Sequence, residues 1–256
     1  MSDIDKRLAK EGKTQYHLKM KPGDVGKYVL LPGDRARVPM MSSYLKGAEE
    51  VGNNREFVAC TGSHRGIRVT VMSTGMGCPA AAIAVEELAN IGATVFIRTG
   101  STGALQKPIN VGDLIIANGA VKNEGTSKMY EPNEFPAVPS FRVLSSLVQA
   151  AESLKAKLRF NYHVGLVSSD DAFYAETPEF ILRMTELGVL GLDMETSAMF
   201  VASRARRLEV GSIMSASENF ARKSIVPEKV PGALKKGWQD ETQVALRAVE
   251  ILEGRR

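Results

Sequence analysis

Cysteine, histidine and tryptophan are scarce in this chain, with 2, 3 and 1 residues among 256. Cys60 and Cys78 form neither a C-x-x-C pair nor a metal framework, so two structural thiols in a reduced, cytoplasmic setting are expected. Three histidines supply no H-E-x-x-H and no Ser-His-Asp or Cys-His set. No carboxylate cluster is spaced for metal and no P-loop lysine is present, so neither metal nor cofactor is expected. No apolar run approaches the roughly 18 residues of a membrane span. The N-terminal MSDIDKRLAKEGKTQYHL has no apolar core and does not read as a secretory signal. Repeats, low-complexity tracts and dividing linkers are also lacking. The expectation is one domain over 1–256, with 1–14 loosely ordered.

The composition is that of an ordinary globular protein, 44% hydrophobic and 24% charged. Its net charge of +4 is spread along the chain. Short clusters such as Arg204-Ala205-Arg206-Arg207 read as a solvated helix end, not a polyanion site, so no nucleic-acid partner is expected. A small anionic substrate fits the same charge.

Strands are expected at 28–31, 58–60, 67–72, 95–97, 113–121, 162–168 and 210–214, where β-branched and other apolar residues cluster. The polar turn Gly62-Ser63-His64-Arg65-Gly66 joins two of them and leaves His64 in solvent. Ala80, Ile83, Ala84, Leu88 and Ile91 recur at helical spacing before Gly92. Further helices are expected over 140–156, 178–187 and 238–252, and after Glu195. This alternation indicates an α/β fold around a largely buried sheet.

The chemistry gathers where strands end. Phe96-Ile97-Arg98 breaks into Thr99-Gly100-Ser101-Thr102-Gly103, read as a loop whose glycines permit unusual backbone angles and whose amides and hydroxyls suit an anion. Tyr28-Val29-Leu30-Leu31 repeats the layout, ending in Pro32-Gly33-Asp34-Arg35-Ala36-Arg37. A helix starting near Arg35 would aim its amides at an anion beside Gly33. Gly75-x-Gly77 lacks the third glycine and the acidic residue of a dinucleotide fingerprint. Glu195 reads equally as a helix-dipole carboxylate or as a grip on two vicinal sugar hydroxyls. Two arginines and an isolated carboxylate suit a reaction in which phosphate is the nucleophile.

Taken together, these segments resemble the hexameric nucleoside phosphorylases, the family of bacterial uridine phosphorylase and purine nucleoside phosphorylase. The resemblance runs nearly end to end: Leu31-Pro32-Gly33-Asp34 with Arg37, Asn54-Arg55-Glu56-Phe57, Ser73-Thr74-Gly75-Met76-Gly77 with Pro79, Glu86-Glu87-Leu88, Phe96 to Gly103, Ser168-Ser169-Asp170 with Phe173-Tyr174, and Met194-Glu195. It implies a nucleoside phosphorylase fold, a mixed and partly barrel-like sheet flanked by helices. It also implies a homo-hexamer, a trimer of dimers with shared active sites. By resemblance, Gly33, Arg37, Arg98 and Ser101 hold phosphate, the co-substrate, joined by Arg55 from a neighbouring subunit. Met194 and Glu195 bind ribose, and His17 reaches a neighbour's ribose. Thr102, Gly103 and Phe173 line the base.

The implied reaction is reversible phosphorolysis of a nucleoside to free base and ribose 1-phosphate. Arg98, Glu195 and Glu218 are the expected catalytic residues. At the base, the glutamine and arginine of uridine phosphorylases are replaced by Thr177 and Glu179. Glu218 stands where purine phosphorylases place an aspartate to protonate the purine. The His17 region and 124–138 resemble uridine phosphorylase, so uridine is favoured, with purine nucleosides or methylthioadenosine as the alternative. Some uridine phosphorylases bind potassium with the glutamate at Glu56 and a serine where this chain has Ala80. A hydrolytic nucleosidase would need no arginine pair, and a non-catalytic nucleoside binder would need no phosphate set.

Overall fold

The computed structural model describes residues 13–222 and 230–255, so most of the segment expected to be loose, 1–14, lies outside the described residues. Chain order runs β1 (Tyr28–Leu31), a 3₁₀ turn (Arg35–Arg37), α1 (Val38–Ser42), β2 (Lys46–Asn54), β3 (Phe57–His64), β4 (Ile67–Met72), α2 (Cys78–Asn90) and β5 (Val95–Ala104). It continues through β6 (Leu114–Asn123), α3 (Thr126–Tyr130), α4 (Phe141–Leu158), β7 (Tyr162–Asp170), α5 (Pro178–Glu186), β8 (Gly191–Asp193), α6 (Thr196–Ala205), β9 (Glu209–Asn219) and α7 (Gly232–Leu252).

The described strands form one mixed sheet in the order β2-β3-β4-β1-β5-β8-β7-β6-β9, and an added β5–β9 pairing closes its second half into a barrel. β5 is the hub. Along one edge it runs parallel to β9 from Val95 to Ala104. Along the other it first pairs in parallel with β1, as far as Leu31 opposite Arg98. That edge is taken up again, antiparallel, by β8 opposite Gly103 and Ala104. Between Arg98 and Gly103 the two neighbours part. A sheet that divides at the strand ends leaves a crevice there.

Alternation sorts the core onto two faces. Val29, Leu31 and Phe96 pack with Ala84, Val85 and Leu88 of α2 and with Met199 and Phe200 of α6. Tyr28, Leu30, Val95 and Ile97 point the other way, towards Val143 and Leu147 of α4 and Val244 and Ala248 of α7. α7 can lie against the sheet because Gly237 has no side chain: a Cβ there would come 2.7 Å from Ser215 Oγ and 2.8 Å from the Gly112 carbonyl oxygen. Among the described residues, no helix is long and apolar enough to cross a membrane.

Four expectations change. The stretch from Arg98 to Gly103 is not a loop but the continuation of β5, its register with β9 kept through Ala104. The exposed strand β2 shows no apolar alternation and was not foreseen. His64 is not free in solvent: Nε2 lies 2.6 Å from Glu250 Oε1 and the side chain is 18% exposed. The helix at Arg35 is a single 3₁₀ turn and the short α1, and its Ala36 amide donates to Asp34 Oδ1 at 2.8 Å instead of facing an anion.

Phe96 is fully buried on the hub strand. Phe96→Ala is expected to cost about 3–5 kcal/mol, read from the shift of the urea unfolding midpoint.

Candidate active site

The crevice beside β5 is a cavity of about 490 Å³. Two of the arginines that line it are buried, Arg98 at 3% and Arg37 at 4% exposure. A guanidinium is buried at this depth only with counter-ions, since an unpaired one costs several kcal/mol. Arg98 Nε donates to Asp193 Oδ2 at 2.8 Å, and Nη2 pairs with Glu195 Oε2 at 2.5 Å. Arg37 Nη2 pairs with Glu241, and Nη1 donates to the Thr99 carbonyl at 3.1 Å. That carbonyl lies on the stretch of β5 between its β1 and β8 partners, so the arginine fills the place of a missing strand. After these bonds Arg98 Nη1 and Arg37 Nε remain buried without a partner among the described residues.

β8 ends at Asp193, and the turn into α6 carries Met194 and Glu195 to the cavity wall. Asp193 is fixed by the Thr196 amide at 3.0 Å and the Ser169 hydroxyl at 2.6 Å, which locks its hold on Arg98. Glu195 Oε1 accepts the Gly77 amide at 2.7 Å. A Glu195 lone pair is then left for a hydroxyl donor. Burial pushes the Glu195 carboxyl up, with Arg98 pulling against it.

Gly100 and Gly103 serve space, not unusual backbone angles. A Cβ at Gly100 would lie 2.8 Å from Arg98 Cζ, and one at Gly103 would lie 2.4 Å from the Phe220 ring and 2.9 Å from Glu218 Oε1. Glu218 reaches Gly103 because the β5–β9 register shifts: Thr102 faces Ala216, Gly103 faces Glu218, and Ser217 is the extra residue. Such bulges re-aim side chains beside sites. Burial pushes the Glu218 carboxyl up, opposed by the Ser217 hydroxyl.

Of the residues expected from the sequence, Gly33, Arg37, Arg98, Ser101, Thr102, Gly103, Phe173, Met194, Glu195 and Glu218 all line this one cavity. Thr177 and Glu179 do not. The Thr177 hydroxyl caps α5 by accepting the Phe180 amide at 3.2 Å, and Glu179 is exposed in the first turn. Arg55 is exposed beside the β2–β3 turn with φ 55°. His17 Nδ1 sits 2.7 Å from Glu87 Oε1. Neither Arg55 nor His17 lines the cavity of its own chain. The sequence showed no cluster at metal spacing, yet Cys78, Glu124 and Asp171 bring one atom each within 4.8 Å of one another. All three are engaged: the thiol donates to the Met194 carbonyl, Glu124 accepts from Ser197 Oγ, and Asp171 accepts the Gly125 amide.

Asp193, Glu176, Trp238 and Glu241 were not foreseen. Trp238 Nε1 donates to Ser101 Oγ at 2.9 Å, and Arg37 Cζ lies 4.9 Å from the indole centroid, a cation–π arrangement. Glu241 is wholly buried and accepts from Ser215 Oγ at 2.9 Å. Burial pushes its carboxyl up to about 7, against the pull of Arg37. A signal existed for these two, since Trp238 and Glu241 fall at helical spacing on the face of Val244, Ala245 and Ala248. Glu241→Ala strands Arg37 in the core and is expected to destabilise the protein by about 3–5 kcal/mol, read by urea unfolding.

A phosphorylase superfamily model matches residues 27–250. The chain is 38% identical over 242 residues to a guanosine phosphorylase of Halorubrum lacusprofundi, covering 93% of this chain and 99% of that protein. It is 40% identical over 251 residues to a uridine phosphorylase of Thermococcus kodakarensis, covering 93% and 86%. The crystal structure of a uridine phosphorylase from Vibrio fischeri superposes with a TM-score of 0.85 at 36% identity, over 92% of this chain and 96% of that one. With its divided sheet, its buried arginine pair and these relatives, the chain belongs to the phosphorylase superfamily, among the nucleoside phosphorylases of the uridine and purine type.

Proposed function

We propose that this nucleoside phosphorylase cleaves uridine with inorganic phosphate as its only co-substrate, yielding uracil and ribose 1-phosphate. The observation that carries the reading is the pair of buried guanidinium groups, each keeping an N–H without a partner beside the Glu195 carboxylate. Phosphate held by Arg37, Arg98, Ser101 and Gly33 sits beneath the sugar. Glu195 accepts the ribose hydroxyls, with Met194 against the ring. Breaking the glycosidic bond develops positive charge on the sugar, as in glycosidases. The bound anion stabilises that charge and attacks C1′, so the protein's work is positioning and charge stabilisation. Thr102, Gly103 and Phe173 border the base.

In the same reading the chain forms a homo-hexamer, a trimer of dimers. Arg55 and His17, which lie outside their own cavity, then complete the phosphate and ribose contacts of a neighbour's site. A reduced, cytoplasmic setting accords with two unpaired thiols, Cys60 and Cys78, and a role in nucleoside salvage follows from the proposed reaction.

Purine nucleosides are the second reading. Glu218, buried against Gly103 with its carboxyl pushed up, is suited to give a proton to a departing purine. The guanosine phosphorylase relative favours the same base class.

A panel of uridine, thymidine, inosine, guanosine and adenosine, each with and without phosphate, tests the assignment. Uridine turnover is expected only with phosphate, and equal rates without it would turn the reading to a hydrolase. Arg98→Lys keeps the charge but loses the fork that spans Asp193, Glu195 and phosphate. Its kcat/KM for phosphate is expected to fall by about 10²-fold or more, measured at saturating nucleoside. Glu218→Gln is expected to slow purine cleavage more than uridine cleavage, compared as kcat on inosine and uridine. Equal slowing would remove Glu218 from the acid role.

A further inference from the structure

Trp238 is the sole tryptophan of the chain, and it lines the same cavity as the two buried arginines. It rides on α7, one residue after Gly237, whose missing side chain lets the helix approach Gly112 and Ser215. Strand alternation places Ser101 on the face of Val95 and Ile97, the face that α7 covers. There the indole Nε1 donates to Ser101 Oγ at 2.9 Å. Arg37 Cζ stands over the ring, 4.9 Å from its centroid, and Glu241, one helical turn further along α7, pairs with the same guanidinium. One side chain thus touches two groups that reach the cavity from different strands, Arg37 after β1 and Ser101 within β5.

An indole N–H can only donate, so the hydroxyl that meets it must accept. Ser101 spends a lone pair on the indole and keeps its own proton. No hydrogen bond among the described residues uses that proton. We propose that Trp238 is a positioning residue for phosphate: it holds Ser101 Oγ as an acceptor and so leaves the hydroxyl proton for a phosphate oxygen. A hydroxyl that accepts while it donates is also the stronger donor, because chained hydrogen bonds polarise one another. The stack against Arg37 keeps the indole from turning away and ties both ligands to one rigid plane. With Arg37 Nε and Arg98 Nη1, the arginine end then offers an anion three open donors among the described residues.

Because this role rests on the nucleoside phosphorylase reading, KM is measured separately for phosphate and for nucleoside, with uridine and guanosine. Trp238→Phe keeps an aromatic face for Arg37 and deletes the N–H. Its KM for phosphate is expected to rise about 3- to 10-fold, with KM for nucleoside at the wild-type value. In a Ser101→Ala background the acceptor is gone, and the same substitution is expected to change KM for phosphate by less than about twofold. An unchanged KM for phosphate, equal rises in both backgrounds, or a rise shared by phosphate and nucleoside would overturn the positioning role and leave phosphorolysis standing.

The wild-type protein supplies a readout that needs no variant. Phosphate added at constant ionic strength is expected to shift the emission of the sole tryptophan, saturating over the range that saturates turnover. Emission unmoved over that range would overturn the role as well. Wild-type protein without phosphate-dependent cleavage of any nucleoside would instead remove the phosphorylase reading, and the positioning role with it.

Discussion

Burying a guanidinium without a counter-ion costs several kcal/mol, and this cavity buries two. Much of the architecture near β5 is organised around meeting that demand. Arg98 leaves the hub strand and is met by Asp193 and Glu195, which β8 and the start of α6 deliver together. Arg37 arrives after β1 and is met by Glu241, carried in by α7. α7 lies close enough to do so because Gly237 offers no side chain to Ser215 and Gly112. Each counter-ion comes from an element distant in sequence, so the arginine end exists only once the barrel has closed.

Burial explains why Glu195 and Glu241 titrate unusually. Arg37 and Arg98 face Asp193, Glu195 and Glu241, and three ionised carboxylates would outweigh two guanidinium groups. Burial works against that excess by pushing Glu241 to about 7 and Glu195 upward. Neither arginine is saturated by its partners, since Nε of one and Nη1 of the other stay unbonded. The proposed phosphate site needs this incomplete pairing. Full satisfaction would leave no donor for phosphate, and no pairing at all would leave the arginines too costly to bury.

The sequence made the strand-helix alternation legible, because buried strands and amphipathic helices each print their own period. It also made Arg37, Arg98, Glu195 and Glu218 legible, since charged residues at the ends of apolar runs stand out. What it concealed follows from side-chain size. Thr99 to Gly103 reads as a loop because it is small and polar, yet small residues are required there to admit the Arg98 guanidinium and the Glu218 carboxyl. β2 is an exposed strand and carries no apolar period. Glu176 has no periodic signature, and the resemblance directed attention to Thr177 and Glu179, which cap and follow the start of α5. Trp238 and Glu241 could have been found, as polar and aromatic members of an apolar helix face.

The base end depends on one inserted residue. Were the β5–β9 register unbroken past Thr102, Gly103 would face Ser217 and the Glu218 side chain would be displaced by one position. Strand side chains alternate between faces, so a shift of one residue exchanges the face that each presents. The bulge at Ser217 therefore decides which side chain meets Gly103. It does so at the point where β8 takes over the opposite edge of β5. The proposed phosphate and base ends are thus set by the same strand: by its charged residue where β1 departs, and by its glycine where β8 begins.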